Sequence, residues 1–234
     1  MVEMTTGLQA PEAVFLDAGG VLLLPNPWAV GSVLRAAGGE ISRETIHRAH
    51  YSGIALMDRA GRADWTLYFA HLAERAGVPS ERREDAIAGL AALFAAPVYS
   101  LWNVVPDGVI DALRALAATG VAIAVVSNAD GLVETTLRRC EVPVDVVIDS
   151  TVVGYAKPQP EIFHIALERL GVDPTAVVHV GDMALADVDG ARAAGVHPLH
   201  LDPYGDCPHP PGAHAHVRSL ADVVEVARGR RPWA

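Results

Sequence analysis

Short, nearly unbroken apolar runs punctuate the chain. They are Ala13–Asp17 (AVFLD), Val121–Val126 (VAIAVV), Val144–Ile148, Val177–Val180 and Pro198–Leu201. Runs this short, bounded by polar or glycine-containing segments, predict strands buried on both faces. Each run after the first follows a stretch with helical periodicity. Val109, Leu113 and Leu116 fall on one helical face, and Ile162, Ile165, Ala166 and Leu170, flanked by Arg169, form another stripe. Gly120, Gly171 and Gly195 each stand just past such a stretch and just before a Val, where glycine caps a helix in the left-handed conformation. Alternating strands and helices predict an α/β fold, a Rossmann-like parallel sheet with helices on both faces.

One interval breaks the rhythm. From Asp17 to Ser127 is 110 positions, whereas a βαβ unit needs roughly 30. The excess reads as helical throughout: Trp28–Ala37, Arg43–Ala60, Asp64–Ala76 and Arg82–Ala95. Pro25-Asn26-Pro27 marks the exit from the sheet, and Pro97 with Pro106 the return. The expected organisation is an α/β core of residues 1–23 and 103–234 with a helical cap domain of residues 24–102. Such an insertion sits over the carboxyl end of the first strand, where open α/β sheets place ligands. Residues 86–106 carry no charge over 21 positions. They are mostly Ala and are broken by Pro97, Ser100 and Asn103, so they read as a buried helix running into a linker, not a membrane span.

Composition narrows the function. With 234 residues and 51% hydrophobic content, the chain can bury a sizeable core. A formal net charge of −10 argues against a nucleic-acid partner, which would need clustered Lys and Arg. Two cysteines, Cys140 and Cys207, make no disulfide framework, so a cytoplasmic location is expected. The N-terminus shows no secretory signal pattern, and no membrane partner is expected. A monomer or homodimer fits equally well. Of the 18 basic residues only Lys157 is lysine, which suggests a position where chemistry wants a compact ammonium.

The candidate chemistry lies at strand ends. Asp17 closes the first strand and precedes Ala18-Gly19-Gly20-Val21, a loop whose N–H groups can approach an anion. Ser127-Asn128 closes the second and can donate to the same anion, or cap the following helix. Lys157 sits in a proline-stiffened segment, Gly154-Tyr155-Ala156-Lys157-Pro158-Gln159-Pro160, and can neutralise a phosphate or a carboxylate. Gly181-Asp182 closes the fourth strand, with Asp187 five positions on. Asp17, Asp182 and Asp187 make a hard oxygen set suited to Mg²⁺, although Asp187 and Asp189 could equally be an acidic first helical turn.

Together, FLDAGGV (Phe15–Val21), VVSN (Val125–Asn128), Lys157-Pro158 and GDMALADVDGARAAG (Gly181–Gly195) resemble the motifs of the haloacid dehalogenase superfamily, in the subfamily with a helical cap after the first strand. The resemblance runs from about Ala13 to Leu201. It implies a nucleophilic Asp17 that forms a covalent intermediate, and a Ser127 that donates to the transferred group, with Asn128 beside it facing substrate. Gly20 would line the same substrate loop. Lys157 would hold nucleophile and transferred group, and Asp17, Asp182, Asp187 and the Gly19 carbonyl would hold Mg²⁺. The implied substrate is a small phosphorylated metabolite.

Gly19 departs from the phosphatase pattern, which has a second Asp there to protonate the leaving group. General acid–base help is worth roughly 10²–10⁴-fold. A phosphatase could draw that help from the cap, where His47, His50 and Asp58 are candidates by position, or from water. A haloacid dehalogenase-type enzyme would not need it, because halide leaves unprotonated. A phosphonate hydrolase of this family would need a cap lysine, and the cap has none. A binding protein on the same fold would have no reason to keep Asp17, Lys157 and Asp182.

Other residues read as structural. Cys207, His209, His214 and His216 only loosely resemble a zinc pattern and read as an exposed loop. His179 and His200 read as packed in or beside strands. Trp28, Trp65, Tyr68 and Phe69 read as core or cap-interface residues, some of which could shape substrate choice, Asn26 and Arg62 as possible substrate contacts, and Arg82-Arg83 and Arg138-Arg139 as solvated helix faces.

Overall fold

The structure, a computed structural model, describes residues 10–96 and 101–233. The first half holds β1 (Ala13–Leu16), β2 (Leu24–Pro25), α1 (Pro27–Ala36), α2 (Arg43–Ala60), α3 (Trp65–Arg75), α4 (Arg83–Phe94) and β3 (Trp102–Val104). Then come α5 (Val109–Ala117), β4 (Ala122–Ser127), α6 (Val133–Arg139), β5 (Val146–Asp149), α7 (Ser150–Val153) and α8 (Pro160–Leu170). The chain continues through β6 (Val177–Gly181), α9 (Asp189–Ala193), β7 (His197–Leu201), β8 (Ala215–Val217) and α10 (Leu220–Ala227).

The main sheet has strand order β5-β4-β1-β6-β7-β8, with every pair parallel. β1 lies at its centre, in register with β4 (Leu16 opposite Val125) and β6 (Leu16 opposite Val180). Side chains alternate across it, as a pleated strand requires. Val14 and Leu16 join Val125, Val178 and Leu113 in one core, while Ala13 and Phe15 join Val126, Ile162 and Phe163 in the other. The sheet is therefore covered on both faces, which explains why its strands read as continuous apolar runs.

The helical insertion folds around its own apolar core, which includes Val30, Ile46, Met57, Tyr68, Leu72 and Leu90. Its helices start where the sequence supplies acceptors for orphan N–H groups. Asn26 accepts from Trp28 and Ala29, Ser42 from Thr45, and Asp64 from Thr66 and Leu67.

Three expectations need correction. The stretch read as helix and linker contains β3, which pairs antiparallel with β2 to make a two-stranded ribbon at the root of the insertion; residues 97–100 of that stretch lie outside the described residues. Trp28, expected in the core or at the cap interface, is 77% exposed and does not line the pocket between insertion and sheet. Asp187 belongs to a π-helical turn, Ala184–Val188, instead of an ordinary first α-turn.

Candidate active site

The carboxyl ends of β1, β4 and β6, with the segment between α7 and α8, meet the insertion around a pocket of about 650 Å³. Asp17, Gly19, Ser127, Asn128, Lys157, Asp182 and Asp187 all line it. These residues are dispersed in sequence and become neighbours because β1 is flanked by β4 and β6.

Lys157 is the hub. It is 4% exposed, and its Nζ lies 3.0 Å from Asp17 Oδ1 and 2.6 Å from Asp187 Oδ1. Burial works against its charge, but Asp17 and Asp187 outweigh burial and hold the ammonium above its ordinary pKa. Asn128 fixes the backbone beneath it. Its Nδ2 donates to the Lys157 carbonyl (2.9 Å), and its Oδ1 accepts from the Lys157 N–H (2.7 Å). The Asn128 amide therefore secures Lys157 from a position on the pocket wall.

Asp187 is held from three sides. Oδ1 also accepts from His179 Nε2 (2.9 Å) and Oδ2 from the Met183 N–H (3.1 Å). Burial pushes its carboxyl up, but Lys157 and then His179 hold it well below the usual carboxylate range. Asp17 behaves oppositely. Burial raises it to about 7 against the pull of Lys157, with Asp187 and Asp182 adding to the rise and a Ser127 hydrogen bond opposing it. The three carboxylates each place an oxygen within 4.8 Å of the others, around one ammonium. This all-oxygen, charge-excess donor set fits a hard divalent cation such as Mg²⁺.

Asp182 faces the insertion. Its Oδ2 meets His50 Nε2 at 3.0 Å, and His50 Nδ1 meets the Tyr68 hydroxyl at 2.9 Å. The approach of Asp182 accounts for the second glycine of the Gly19-Gly20 pair. At Gly20, φ is +76°, and a Cβ would lie 2.0 Å from Asp182 Oδ2. Its N–H donates to the Leu23 carbonyl, and its carbonyl accepts from Tyr51 Oη. Gly20 thus admits Asp182 and does not line the pocket, a correction to its expected substrate contact. A Cβ at Gly19 would instead lie 3.5 Å from the Trp102 indole. That ring occupies the space a longer side chain at position 19 would enter.

Of the three cap candidates, only His50 reaches the pocket. The Asp58 carboxylate accepts from the Ala184 and Leu185 N–H groups at 2.9 and 3.0 Å, tying α2 to the π-helical turn. The Nε2 of His47 is buried without a hydrogen-bond partner. Arg62 lines the pocket mouth beside its ion-pair partner Asp64, whereas Asn26 caps α1 and bonds Asn103.

Sequence reasoning treated His179 as packing alone. It is fully buried, stacked edge-on to Phe163 and bonded to Asp187. A usable signal was present: a histidine amid the valines of β6 must find a buried partner.

Fold and site together define a hydrolase of the α/β type, with an acid–lysine centre at the sheet's carboxyl edge. The chain belongs to the haloacid dehalogenase-like hydrolase family, whose model matches residues 11–195. It is 35% identical over 136 residues to haloacid dehalogenase-like hydrolase domain-containing protein 3 of Mus musculus, covering 57% of this chain and 53% of that protein. The chain thus spans about half the length of the curated relatives it matches. It is 41% identical over 81 residues to phosphoserine phosphatase of Thermus thermophilus, covering 35% of this chain and 32% of that one. Among solved structures, a HAD phosphatase from Thermococcus onnurineus superposes with a TM-score of 0.58 at 25% identity, covering 94% of this chain and all 100% of the other. No helix among the described residues is long and apolar enough to cross a membrane.

Proposed function

We propose that the chain is a Mg²⁺-dependent phosphatase acting on a small phosphorylated metabolite through Asp17. The observation that carries the reading is the placement of Asp17 Oδ1 against the buried Lys157 ammonium at the base of a pocket lined by Asp182 and Asp187. The phosphatase names among the relatives support it.

In this reading an Asp17 oxygen attacks phosphorus, and the bond to the leaving oxygen breaks. Water then attacks the aspartyl-phosphate, breaking the bond between phosphorus and Asp17 and restoring the carboxylate. Asp17 needs to be ionised to attack, and Lys157 favours that form while also facing the transferred group. The Ser127 hydroxyl donates beside it. Asp17 and Asp182 would hold the ion directly with the Gly19 carbonyl. Asp187, whose oxygens are committed to Lys157, His179 and the Met183 N–H, would reach it through water. When bound, Mg²⁺ supplies charge neutralisation of the phosphoryl oxygens. The insertion serves as the cap that closes the pocket and excludes water. Nothing at position 19 protonates the leaving oxygen, so the reading favours substrates whose leaving group departs as a stable anion.

The test is turnover of an aryl phosphate with Mg²⁺ and with excess chelator, with Asp17→Asn as the blank. Mg²⁺-dependent turnover absent from the blank supports the reading. Turnover retained by Asp17→Asn contradicts it. A second reading, carbon–halogen hydrolysis, is favoured only by the missing acid at Gly19. It requires halide release from a 2-haloacid in the presence of chelator.

A further inference from the structure

The loop between β7 and β8 gathers a second cluster, on the far side of Asp182 from Lys157 and sharing none of its ligand atoms with the acid–lysine centre. His200 on β7 and His216 on β8 are direct register partners in parallel strands. Their ring centroids are 5.2 Å apart. His214 lies two residues before His216, and its ring lies 4.6 Å from that of His216 and 5.0 Å from that of His200. Cys207 Sγ lies 3.5 Å from His214 Nε2, and His200 Nδ1 lies 2.9 Å from the same nitrogen. One ligand atom from each of the four falls within 4.8 Å of every other. The exposed-loop reading of this segment holds for His209, which is exposed, but not for His214, which is buried.

We propose that His200, Cys207, His214 and His216 form a structural zinc site with a Cys-His₃ ligand set. In a tetrahedral site, bond lengths of about 2.0–2.3 Å put ligand nitrogens roughly 3.3 Å apart and sulfur roughly 3.6 Å from nitrogen. The observed 2.9 and 3.5 Å match to within a few tenths of an ångström. A thiolate with three imidazoles selects a borderline-soft cation over Mg²⁺.

Protons alone serve the cluster poorly. His200 Nε2 bonds the Asp182 carbonyl at 3.0 Å, so it carries the hydrogen and leaves Nδ1 as a lone pair. His214 Nε2 faces both that lone pair and Cys207 Sγ, and a single proton can satisfy only one of them. His216 Nε2 is buried with no hydrogen-bond partner. One cation at the centre satisfies all four side chains. Burial, with His200 and His216 next, pushes His214 down to about 3, which keeps its ring neutral as a metal ligand must be. Burial holds the Cys207 thiol up, so binding releases its proton: the S–H bond breaks, the sulfur–metal bond forms, and the proton leaves to solvent.

The surrounding bonds are those a metal site needs. His200 gives its other N–H to a backbone carbonyl, which fixes tautomer and ring orientation. Asp202 accepts from the N–H groups of Gly205, Asp206 and Cys207 at 2.8, 2.9 and 3.2 Å, pinning the loop that presents Cys207. The next residue back, Asp206, receives Arg48 of α2 in a two-pronged ion pair. A metal holding Cys207 would thereby brace the insertion against the sheet.

The experiment uses tag-free full-length protein, desalted in excess Mg²⁺ and analysed for zinc by mass spectrometry. Co²⁺ is then added to chelator-stripped protein and absorbance recorded. One zinc per chain, with a thiolate-to-cobalt charge-transfer band and intense four-coordinate visible bands, is expected. Cys207→Ser should remove the charge-transfer band, while Cys140→Ala and Asp17→Asn should keep it. His216→Asn, checked for folding by circular dichroism, should weaken zinc binding by at least about tenfold. Wild-type protein without the band, or a band that survives Cys207→Ser, overturns the proposal. Neither result bears on turnover at Asp17.

Discussion

Gly20→Ala is a sharp test of how the site is built. The added methyl would stand 2.0 Å from Asp182 Oδ2 and 2.3 Å from Asp182 Cγ, at a backbone φ of +76°. The left-handed conformation costs an L-residue about 1–2 kcal/mol, and overpacking costs about 1–3 kcal/mol more. Because the chain can relax one strain by easing the other, we expect a loss of about 3 kcal/mol. For a chain of this size that corresponds to a fall in Tm of about 6–12 °C. The Asp182 carboxylate must also swing off its His50 contact, so Mg²⁺ should stabilise the variant less than it does the wild type. Gly19→Ala is the matched control, since its methyl would rest at ordinary contact distance, 3.5 Å, from Trp102. The assay is denaturant unfolding with and without Mg²⁺, followed by turnover. A Gly20→Ala protein within about 0.5 kcal/mol of wild type, with an unchanged Mg²⁺ response, would refute the close approach of Asp182 to this loop.

Three further outcomes are expected. Lys157→Arg should lose about 10²-fold in kcat/KM, because a guanidinium does not fit where Nζ sits 2.6 and 3.0 Å from two carboxylates; near-normal kinetics would remove the hub role. Along a series of aryl phosphates, kcat/KM should fall steeply as the leaving phenol becomes more basic, since Gly19 offers no acid; a flat dependence would show that another group supplies the proton. Asp17, raised to about 7, withdraws stability from the metal-free protein as pH climbs from 3.8 to that value, because over that window the unfolded chain ionises the carboxyl while the folded state still holds its proton. Mg²⁺ must displace the same proton, so its thermal stabilisation should be larger at about pH 8 than at about pH 6; calorimetry showing the reverse order would contradict the assignment.

What the sequence discloses follows from how local each cause is. The five strands of continuous apolar runs appear within a residue or two of their expected bounds, because burial on both faces leaves its mark in each strand alone. The four insertion helices were legible as continuous helical stretches and fall within a residue of their expected bounds, because helical periodicity is likewise a local property; the caps that start two of them, Ser42 and Asp64, emerged only in the structure. The β2–β3 ribbon was not. It is two and three residues long, and Pro25 lacks an N–H, so its pattern exists only once the two strands meet. β8 hides similarly behind a proline-rich loop. At the site, Asp17 and Asp182 stand out because they lie at strand ends, Asp187 by its spacing from Asp182, and Lys157 as the lone lysine. The parts played by Asn128, His179 and Gly20 depend on partners 29, 8 and 162 positions away. Spacing along the chain carries no trace of such distances.

The central claim is that Asp17 is the nucleophile, and trapping tests it most directly. Protein mixed with a good aryl phosphate and Mg²⁺ is quenched in acid within one turnover, digested and analysed by mass spectrometry. The account predicts a phosphoryl group on the peptide containing Asp17, absent without Mg²⁺ and absent from Asp17→Asn. A phosphoryl group on another residue, or full turnover with Asp17→Asn, would contradict it.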